Sequence, residues 1–383
     1  INPQWIYKGD GEGAMRTLRE ILQLTEETGM KVFGVSIYAQ GVYAALTAGD
    51  LNAAEEFLDK TRRQLRPDRY LDYGHHFYLA AWIEMIRGNV RTSYEHIQIA
   101  FAMSVKGGVP FPLALNHIAM YLVLFELSEY RRAEKHLAEG RIIGRKMKSS
   151  ILEFKCLIAG AYFALKRRQE RKGLQLLRKA LQEGKEKGFV NTDWWLPRVM
   201  SFLLARALEE GIETGYAREL ILRRKLVPDS PPYHIEHWPW PLRIFTFGGI
   251  SVERDGAPLK YSRKAPKKPL ELLRLLVARG GKNVREDRLA ELLWPDAEGD
   301  VARTALNVTV LRLRELLAVK GALQVADGSV SIDDRLVWID TRAFEKLLQT
   351  AEQAPRVAPD QSLPRWGGAG VEGRLHFGMP PYL

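Results

Sequence analysis

The sequence predicts a mainly α-helical protein in which a stack of paired helices is followed by a small α+β domain. Apolar helical segments recur about every 40 residues over the first two-thirds of the chain. A proline-rich stretch then interrupts this pattern, and the apolar residues after it begin to alternate as they do in strands. We predict a repeat domain at 1–226, a linker at 227–241, a second domain at 242–348 and a Gly/Pro-rich disordered tail at 349–383.

Composition limits the class of protein. The chain has 383 residues, of which 46% are hydrophobic and 27% charged, as in globular proteins that bury a core. Its single cysteine, Cys156, excludes an intrachain disulfide and a multi-cysteine zinc site. No apolar run reaches the ~20 residues that span a bilayer, and no signal peptide is evident, so we expect a cytoplasmic protein without a membrane partner. The net charge of +11 favours an anionic partner, although the most basic segment is 131–190, outside the second domain.

The repeats share a pattern of turn, helix, small residue and aliphatic residue. The small residues are spaced by 39, 40 and 40 positions, and each is followed four positions later by an aliphatic residue. The pairs are Ala54 and Leu58, Ser93 and Ile97, Ala133 and Leu137, and Gly173 and Leu177. A fifth copy, "EEGIETGYARELI" (209–221), is longer and less regular, and an apolar, aromatic-rich helix precedes each turn.

This pattern predicts paired antiparallel helices that must stack to bury their apolar faces, with the small residue allowing close approach. It resembles tetratricopeptide repeats, in the longer form seen in large MalT/LuxR-like bacterial regulators. The resemblance implies a concave surface that holds a protein segment or a small-molecule effector.

The segment "VPDSPPYHIEHWPWP" (227–241) contains five prolines and cannot continue the helices. Beyond it, the patterns predict a short antiparallel sheet, three helices, a hairpin, and a final strand that leads into a helix. These elements fall, in that order, at 242–262, 267–282, 285–295, 301–317, 322–333 and 337–348.

Two angled helices, of which the second is basic and followed by a hairpin, form the layout of a winged helix-turn-helix. The segments "LRIFTFGGISVERDG", "RLAELLWPD" and "ARTALNVTVLRLRELL", with the turn Asp327-Gly328, resemble the OmpR-type DNA-binding domain of SARP/BTAD-class bacterial transcription activators. The resemblance covers 242–348. The helical domain that normally follows the winged helix in that class is missing from the pattern, and the repeats precede it instead.

In this geometry the helix at 287–294 crosses the DNA backbone and the helix at 301–317 enters the major groove. The stripe of Leu306, Val310, Leu313 and Leu317 faces the domain core. The outward side chains predicted to read bases are Arg303, Thr304, Asn307, Val308 and Leu311. Arginine suits guanine and asparagine suits adenine, whereas Val308 and Leu311 suit thymine methyls or a partner protein.

Phosphate contacts are predicted at Lys264, Lys267, Lys268, Arg312 and Arg314, with Ser329 on the wing near the minor groove. The alternative is an ordinary amphipathic helix with one buried stripe and a solvated basic face. The acidic loop 295–301 touches RNA polymerase by resemblance, or is a solvated connection. The basic run "KRRQERK" (166–172) is a solvated face or a second nucleic-acid patch.

We therefore predict a bacterial transcription regulator, an activator by resemblance, that binds double-stranded DNA through the winged helix and an effector through the repeats. The alternative is a repeat scaffold whose winged domain contacts proteins. No nucleophile–base pair, carboxylate pair or metal cluster has usable spacing, so we predict neither an enzyme nor a metal site. The histidines at 75, 76, 96, 117 and 136 are interpreted as structural or surface residues. No phosphate-binding Gly-x-x-x-x-Gly-Lys-Ser/Thr motif occurs, and no cofactor is predicted.

Overall fold

The computed structural model describes residues 7–29, 34–66, 68–235, 237–260 and 265–353. These residues form fifteen helices and seven strands. Residues 354–383, which make up most of the predicted tail, lie outside the described residues. Lys264 also lies outside them. Among the described helices, none is both long and apolar enough to cross a membrane.

Eleven helices form the first part of the chain, and they pack as a repeat-like array. They are α1 (Gly11–Thr28), α2 (Gly34–Ala48), α3 (Leu51–Arg62), α4 (Tyr70–Arg87), α5 (Val90–Gly107), α6 (Pro110–Glu126), α7 (Tyr130–Lys146), α8 (Ser150–Lys166), α9 (Glu170–Lys187), α10 (Pro197–Glu209) and α11 (Thr214–Arg223). Helices α2 and α3, α4 and α5, α6 and α7, and α8 and α9 are joined by two or three residues and pack along their lengths. Each pair is therefore antiparallel, which confirms the predicted helical pairing.

The small residues of the repeat lie where the two helices of a pair approach most closely. Ala54, Ser93, Ala133 and Gly173 are all buried. A Cβ on Gly173 would lie 2.6 Å from the Leu165 side chain, so any larger residue would separate α8 from α9. The Ser93 hydroxyl donates to the Ala81 carbonyl at 2.7 Å, so even the polar member of this set joins the two helices of its pair.

The array is interrupted after α9, where residues 188–196 run into its interior before α10 begins. Trp194 and Trp195 are buried there, and the Trp82 indole donates to the Trp195 carbonyl at 3.3 Å. This insertion accounts for the longer, less regular fifth copy of the repeat. The sequence pattern did not predict its buried position.

The proline-rich segment at 227–241 contributes to the core of the array. Ile235, Trp238 and Trp240 are buried in the same apolar cluster as the repeat helices, and the Tyr233 ring stacks on Trp240 at 5.6 Å between centroids. The prolines end the helical pattern, while the aromatic residues between them provide apolar surface that packs against the array.

The second part of the chain contains two small sheets and four helices. Its elements are β1 (Leu242–Phe245), β2 (Ser251–Arg254), β3 (Ala257–Pro258), α12 (Lys267–Ala278), β4 (Val284–Arg285), α13 (Glu286–Leu293), α14 (Gly299–Leu317), β5 (Leu323–Ala326), β6 (Ser329–Ile332), β7 (Val337–Ile339) and α15 (Asp340–Gln353). One sheet has the strand order β3-β2-β1-β7 and the other β4-β6-β5.

The predicted leading sheet, three helices and hairpin are all present in that order. The sequence pattern missed the parallel pairing of β7 with β1 and the short strand β4. Helix α15 also continues to Gln353, past residue 349 where the tail was predicted to begin. The core between the sheets and helices consists of aliphatic side chains, and the predicted stripe of Leu306, Val310, Leu313 and Leu317 is buried within it.

Candidate nucleic-acid interface

Helix α14 has one buried face and one exposed face. Its buried stripe packs against α12 and α13, which fixes the rotation of the helix about its axis. All five predicted base-reading residues lie on the exposed face: Arg303, Thr304, Asn307, Val308 and Leu311. Val308 is 44% exposed and Leu311 56% exposed, which is unusual for large apolar side chains in a packed helix.

The exposed residues form two adjacent strips, because positions four apart share a helix face. Arg303, Asn307 and Leu311 form the first strip. Thr304, Val308 and Arg312 form the second, which borders a shallow groove. Both strips run from the N-terminal half of α14 toward its middle, so a flat or convex partner could contact them together.

Three polar side chains on these strips are available for a partner. Within the part of the chain that the structure describes, Arg303, Asn307 and Arg312 form no hydrogen bond or ion pair through their side chains. The planar guanidinium and the amide can each form bidentate hydrogen bonds with base edges. The Thr304 hydroxyl, in contrast, donates to the Asp300 carbonyl of its own helix at 2.9 Å.

Lys268 forms part of the groove wall and is held there by its own domain. Its Nζ donates to the Leu293 carbonyl at 2.8 Å and lies 3.1 Å from Glu271 Oε2. It also lies 5.3 Å from the centre of the Trp294 ring. These contacts join α12 to the end of α13, so this lysine has a structural role in addition to the phosphate contact predicted for it.

Trp294 is a groove residue that the sequence analysis did not identify as part of the site. It is the first residue after α13 and lies between Lys268 and α14. The only feature of the sequence that could have indicated its role is the position of a single tryptophan between an amphipathic helix and a proline.

Lys267 is exposed at the first position of α12. Positive side chains are disfavoured at a helix N-terminus, because the helix dipole already places positive charge there. Lys268 is offset by its pair with Glu271, so the charge of Lys267 is the one in this first turn that helix stability does not explain. Lys264, predicted with them, lies outside the described residues.

Arg314 of α14 bonds to the hairpin that follows this helix, and Ser329 lies within that hairpin. Arg314 Nε donates to the Leu323 carbonyl of β5 at 3.3 Å, which ties the helix to the hairpin. Ser329 is half-buried at the start of β6, opposite Ala326. The turn Asp327-Gly328 forms the tip of the hairpin, and the exposed Ala326 and Asp327 lie next to Ser329 there.

The acidic connection between α13 and α14 is short, because α14 already begins at Gly299. Asp296, Glu298 and Asp300 are exposed along it. Their charges complement the dipole at the start of α14 and repel phosphate at the same end of the groove. A solvated connection and a protein-binding loop both fit this arrangement.

The histidines of the array lie among packed side chains. His75 Nε2 is 2.9 Å from the Tyr43 hydroxyl, and His76 Nδ1 is 2.6 Å from Thr61 Oγ1. Burial lowers the pKa of His76 to about 4, and burial together with the nearby His117 lowers that of His136 to about 4. Cys156 is buried, and burial raises the pKa of its thiol to about 11.

No group of His, Cys, Asp and Glu side chains among the described residues could hold a metal ion. The chain matches no protein-family profile and no curated protein sequence.

Proposed function

We propose that this protein is a DNA-binding transcription regulator whose second part is an OmpR-type winged helix. The observation that carries the proposal is the exposed face of α14, where Arg303 and Asn307 stand free beside Thr304, Val308 and Arg312 while the opposite face is buried. These side chains match the donor and acceptor chemistry of base edges and phosphates in a major groove.

The order of elements around α14 supports this proposal. A leading sheet, three helices and a hairpin are arranged so that α13 precedes α14 across a short turn and the β5–β6 hairpin follows it. In a winged helix-turn-helix, that arrangement allows one helix to enter the groove while the hairpin reaches along the backbone. Lys267 and Lys268 at the start of α12 add positive charge for phosphates.

In this proposal the helical array receives an effector, a protein segment or a small molecule, and the winged helix reads promoter DNA in the cytoplasm of a bacterium. Activation would involve RNA polymerase at loop 295–301, whose exposed acidic side chains suit a basic protein surface.

The experiment that tests the proposal starts with selection of bound sequences from a random DNA library by the full chain. Affinity for the selected site is then measured for Arg303→Ala and Asn307→Ala at several salt concentrations. We expect each substitution to cost about 1–3 kcal/mol and to relax the preference at one base position, because bidentate contacts discriminate by that amount.

The matched control is Arg171→Ala, which removes the same charge from an exposed position on α9. It should leave affinity unchanged. If it weakens binding as much as Arg303→Ala, the nucleic-acid surface lies in the basic run 166–172. If neither Arg303→Ala nor Asn307→Ala alters affinity or sequence preference, α14 is not a DNA-reading helix.

A second candidate function, a repeat scaffold whose winged domain binds another protein, is favoured by one observation. Val301 and Val308, which line the groove that contains Trp294, are 61% and 44% exposed, and Leu311 on the adjacent strip of α14 is 56% exposed. Apolar clusters of this kind suit a protein partner. In that case no DNA sequence would be enriched by selection, and Val308→Ser would weaken association with the protein partner.

A further inference from the structure

The helical array contains a cavity of about 350 Å³ beneath the segment 188–196. Side chains from α2, α4, α5 and α6 form its walls, and Asp193 and Tyr7 border it from the segments outside those helices. Ligand-binding cavities range from roughly 300 to 1,000 Å³, so this one suits a compact molecule. Of the inserted segment, only Asp193 is among the described residues that border the cavity.

The lining combines tyrosine rings with other apolar side chains. The rings come from Tyr7, Tyr43, Tyr70 and Tyr78. Leu71, Ala100, Phe111, Pro112 and Leu115 supply apolar surface. Tyrosine faces carry negative electrostatic potential, which attracts cations as well as apolar groups.

A buried polar network holds this lining in position. The Tyr78 hydroxyl donates to Asp193 Oδ2, and Lys155 Nζ lies 2.6 Å from the same carboxylate oxygen. Tyr43 and His75 form a second bonded pair at 2.9 Å. Burial lowers the pKa of His75, so its ring is neutral at pH 7.

The remaining polar groups of the lining favour a positively charged or hydrogen-donating ligand. Neither lysine nor arginine is among the described residues that border the cavity. Asp72 borders it and, among the described residues, is paired only with Arg69 at 3.3 Å, which is half-exposed and able to turn to solvent. Asn116 also borders the cavity and is 4% exposed, and its Oδ1 accepts no hydrogen bond within the described chain. A buried acceptor without a donor is unfavourable, and a ligand N–H supplies one.

We propose that this cavity binds a small organic cation: an amine on an apolar or aromatic body, with the ammonium group at Asp72 and Asn116 and the body among the tyrosines. An anion is disfavoured because Asp72 repels it and the positive charge of Lys155 is already neutralised by Asp193. The proposal rests on the effector role of the array within the proposed function, and it specifies the chemical class of the effector.

The test measures binding to the full chain by titration calorimetry and ligand-observed NMR. The probes are 2-phenylethylamine and a panel of related arylalkyl and alkyl amines, each paired with the alcohol and the carboxylate of the same skeleton. We expect at least one amine to bind at least tenfold more tightly than its alcohol and carboxylate. Absence of amine binding at millimolar concentration across the panel, or equal binding of the alcohols, overturns the proposal.

Two variants locate the binding. Asp72→Asn, at the mouth of the cavity, should weaken amine binding at least tenfold, whereas Asp59→Asn should not, because Asp59 lies on α3 paired with Arg62 and Arg63 outside the cavity. Asn116→Leu replaces the unpartnered acceptor by a methyl group in a side chain with the same number and branching of heavy atoms, so it should keep the fold and reduce binding. Unchanged binding in both Asp72→Asn and Asn116→Leu assigns the amine to another site and overturns the proposal.

The same protein samples also separate this proposal from the proposed function. DNA affinity is measured in parallel for Asp72→Asn and Asn116→Leu, whose substitutions lie outside α14 and should leave intrinsic DNA contacts unchanged. Amine binding without DNA binding would refute the regulator and keep the cavity site. DNA binding without amine binding would refute the amine site in the cavity and keep the regulator.

Discussion

The two parts of the molecule differ in the side chains that they bury. The helical array buries large aromatic side chains such as Trp82, Tyr121 and Phe154, and it also buries the Lys155–Asp193 ion pair. The apolar cluster of the second part contains only leucine, isoleucine, valine and alanine among its buried residues. Its arginines on α14 are exposed.

This difference indicates where each part can bind another molecule. Buried charges are costly to desolvate, so an interior ion pair beside a cavity requires a reason other than core stability. The second part buries three polar side chains, Glu286, Thr309 and Asp340, but it keeps the arginines of α14 on its surface. The array is suited to enclose a small ligand, and the second part to contact a large one.

The largest effect in this comparison between the array and the second part is expected from Asp193→Ala. This change leaves the Lys155 ammonium buried without a counterion and removes the acceptor of the Tyr78 hydroxyl. We expect the free energy of unfolding of the array to fall by about 3–5 kcal/mol. Chemical denaturation followed by tryptophan fluorescence measures it, since Trp194 and Trp195 flank the site.

A double variant sharpens this prediction. Lys155→Met combined with Asp193→Leu removes both charges together and should recover much of the lost stability, because no unpaired charge remains. Asp59→Ala, which breaks the two exposed pairs with Arg62 and Arg63, should leave the free energy of unfolding unchanged. If Asp193→Ala proves as mild as Asp59→Ala, the array does not depend on its interior network.

The next prediction compares the two faces of α14. Leu306 is fully buried and Leu311 is 56% exposed on the same helix. Leu306→Ala should destabilise the second part by about 2–5 kcal/mol through loss of buried surface and formation of a cavity. Leu311→Ala should change stability by less than about 0.5 kcal/mol. Thermal unfolding followed by circular dichroism distinguishes them, and equal effects would contradict the assignment of the faces.

Periodicity predicted these faces because a helix with one buried stripe has only one consistent rotation. The stripe of Leu306, Val310, Leu313 and Leu317 is therefore buried, and the predicted residues between them are exposed. The repeat spacing predicted the pairing of α4 with α5 and α6 with α7 for a similar reason, since a small residue at a fixed position marks close contact.

Local patterns could not predict contacts between distant residues. The pairing of Tyr78 with Asp193 joins residues 115 positions apart, and both are ordinary in their own segments. The role of Lys268 was also incompletely predicted, because its bond to the Leu293 carbonyl depends on how α12 meets the end of α13. The cavity arises from the same long-range arrangement, which only the fold reveals.

Smaller effects are expected from the buried histidines of the array. His76 is 6% exposed and its pKa is lowered from 6.5 to about 4 by burial. As the pH falls, His76 therefore becomes protonated in the unfolded chain at a higher pH than in the folded protein. The stability that neutral His76 contributes is complete above pH 6.5 and is lost progressively between pH 6.5 and pH 4. Between about pH 7.5 and pH 5 the loss should be no more than about 2 kcal/mol.

The measurement is the difference in pH dependence of unfolding between the unsubstituted protein and His76→Gln, which should be less sensitive to acid by that amount. His237→Gln is the control, because His237 is exposed. A His76→Gln variant with an unchanged pH dependence would show that the pKa of this histidine is the same in the folded and unfolded states, which contradicts the prediction.

The smallest effect separates two adjacent lysines at the start of α12. Lys267 is exposed, whereas Lys268 is bonded to the Leu293 carbonyl, paired with Glu271 and placed beside the Trp294 ring. If both lysines contact phosphate, each alanine substitution lowers the salt dependence of DNA binding by ~1 in the logarithmic slope. The intramolecular contacts of Lys268 lead us to expect the full reduction for Lys267→Ala and a smaller one for Lys268→Ala.

Lys268→Ala should also lower the thermal stability of the second part slightly, because it loses a contact between α12 and α13, and Lys267→Ala should not. A reduction that is larger for Lys268→Ala would mean that this lysine leaves the groove wall when DNA binds, so that the second part changes its surface on binding whereas we expect it to remain rigid.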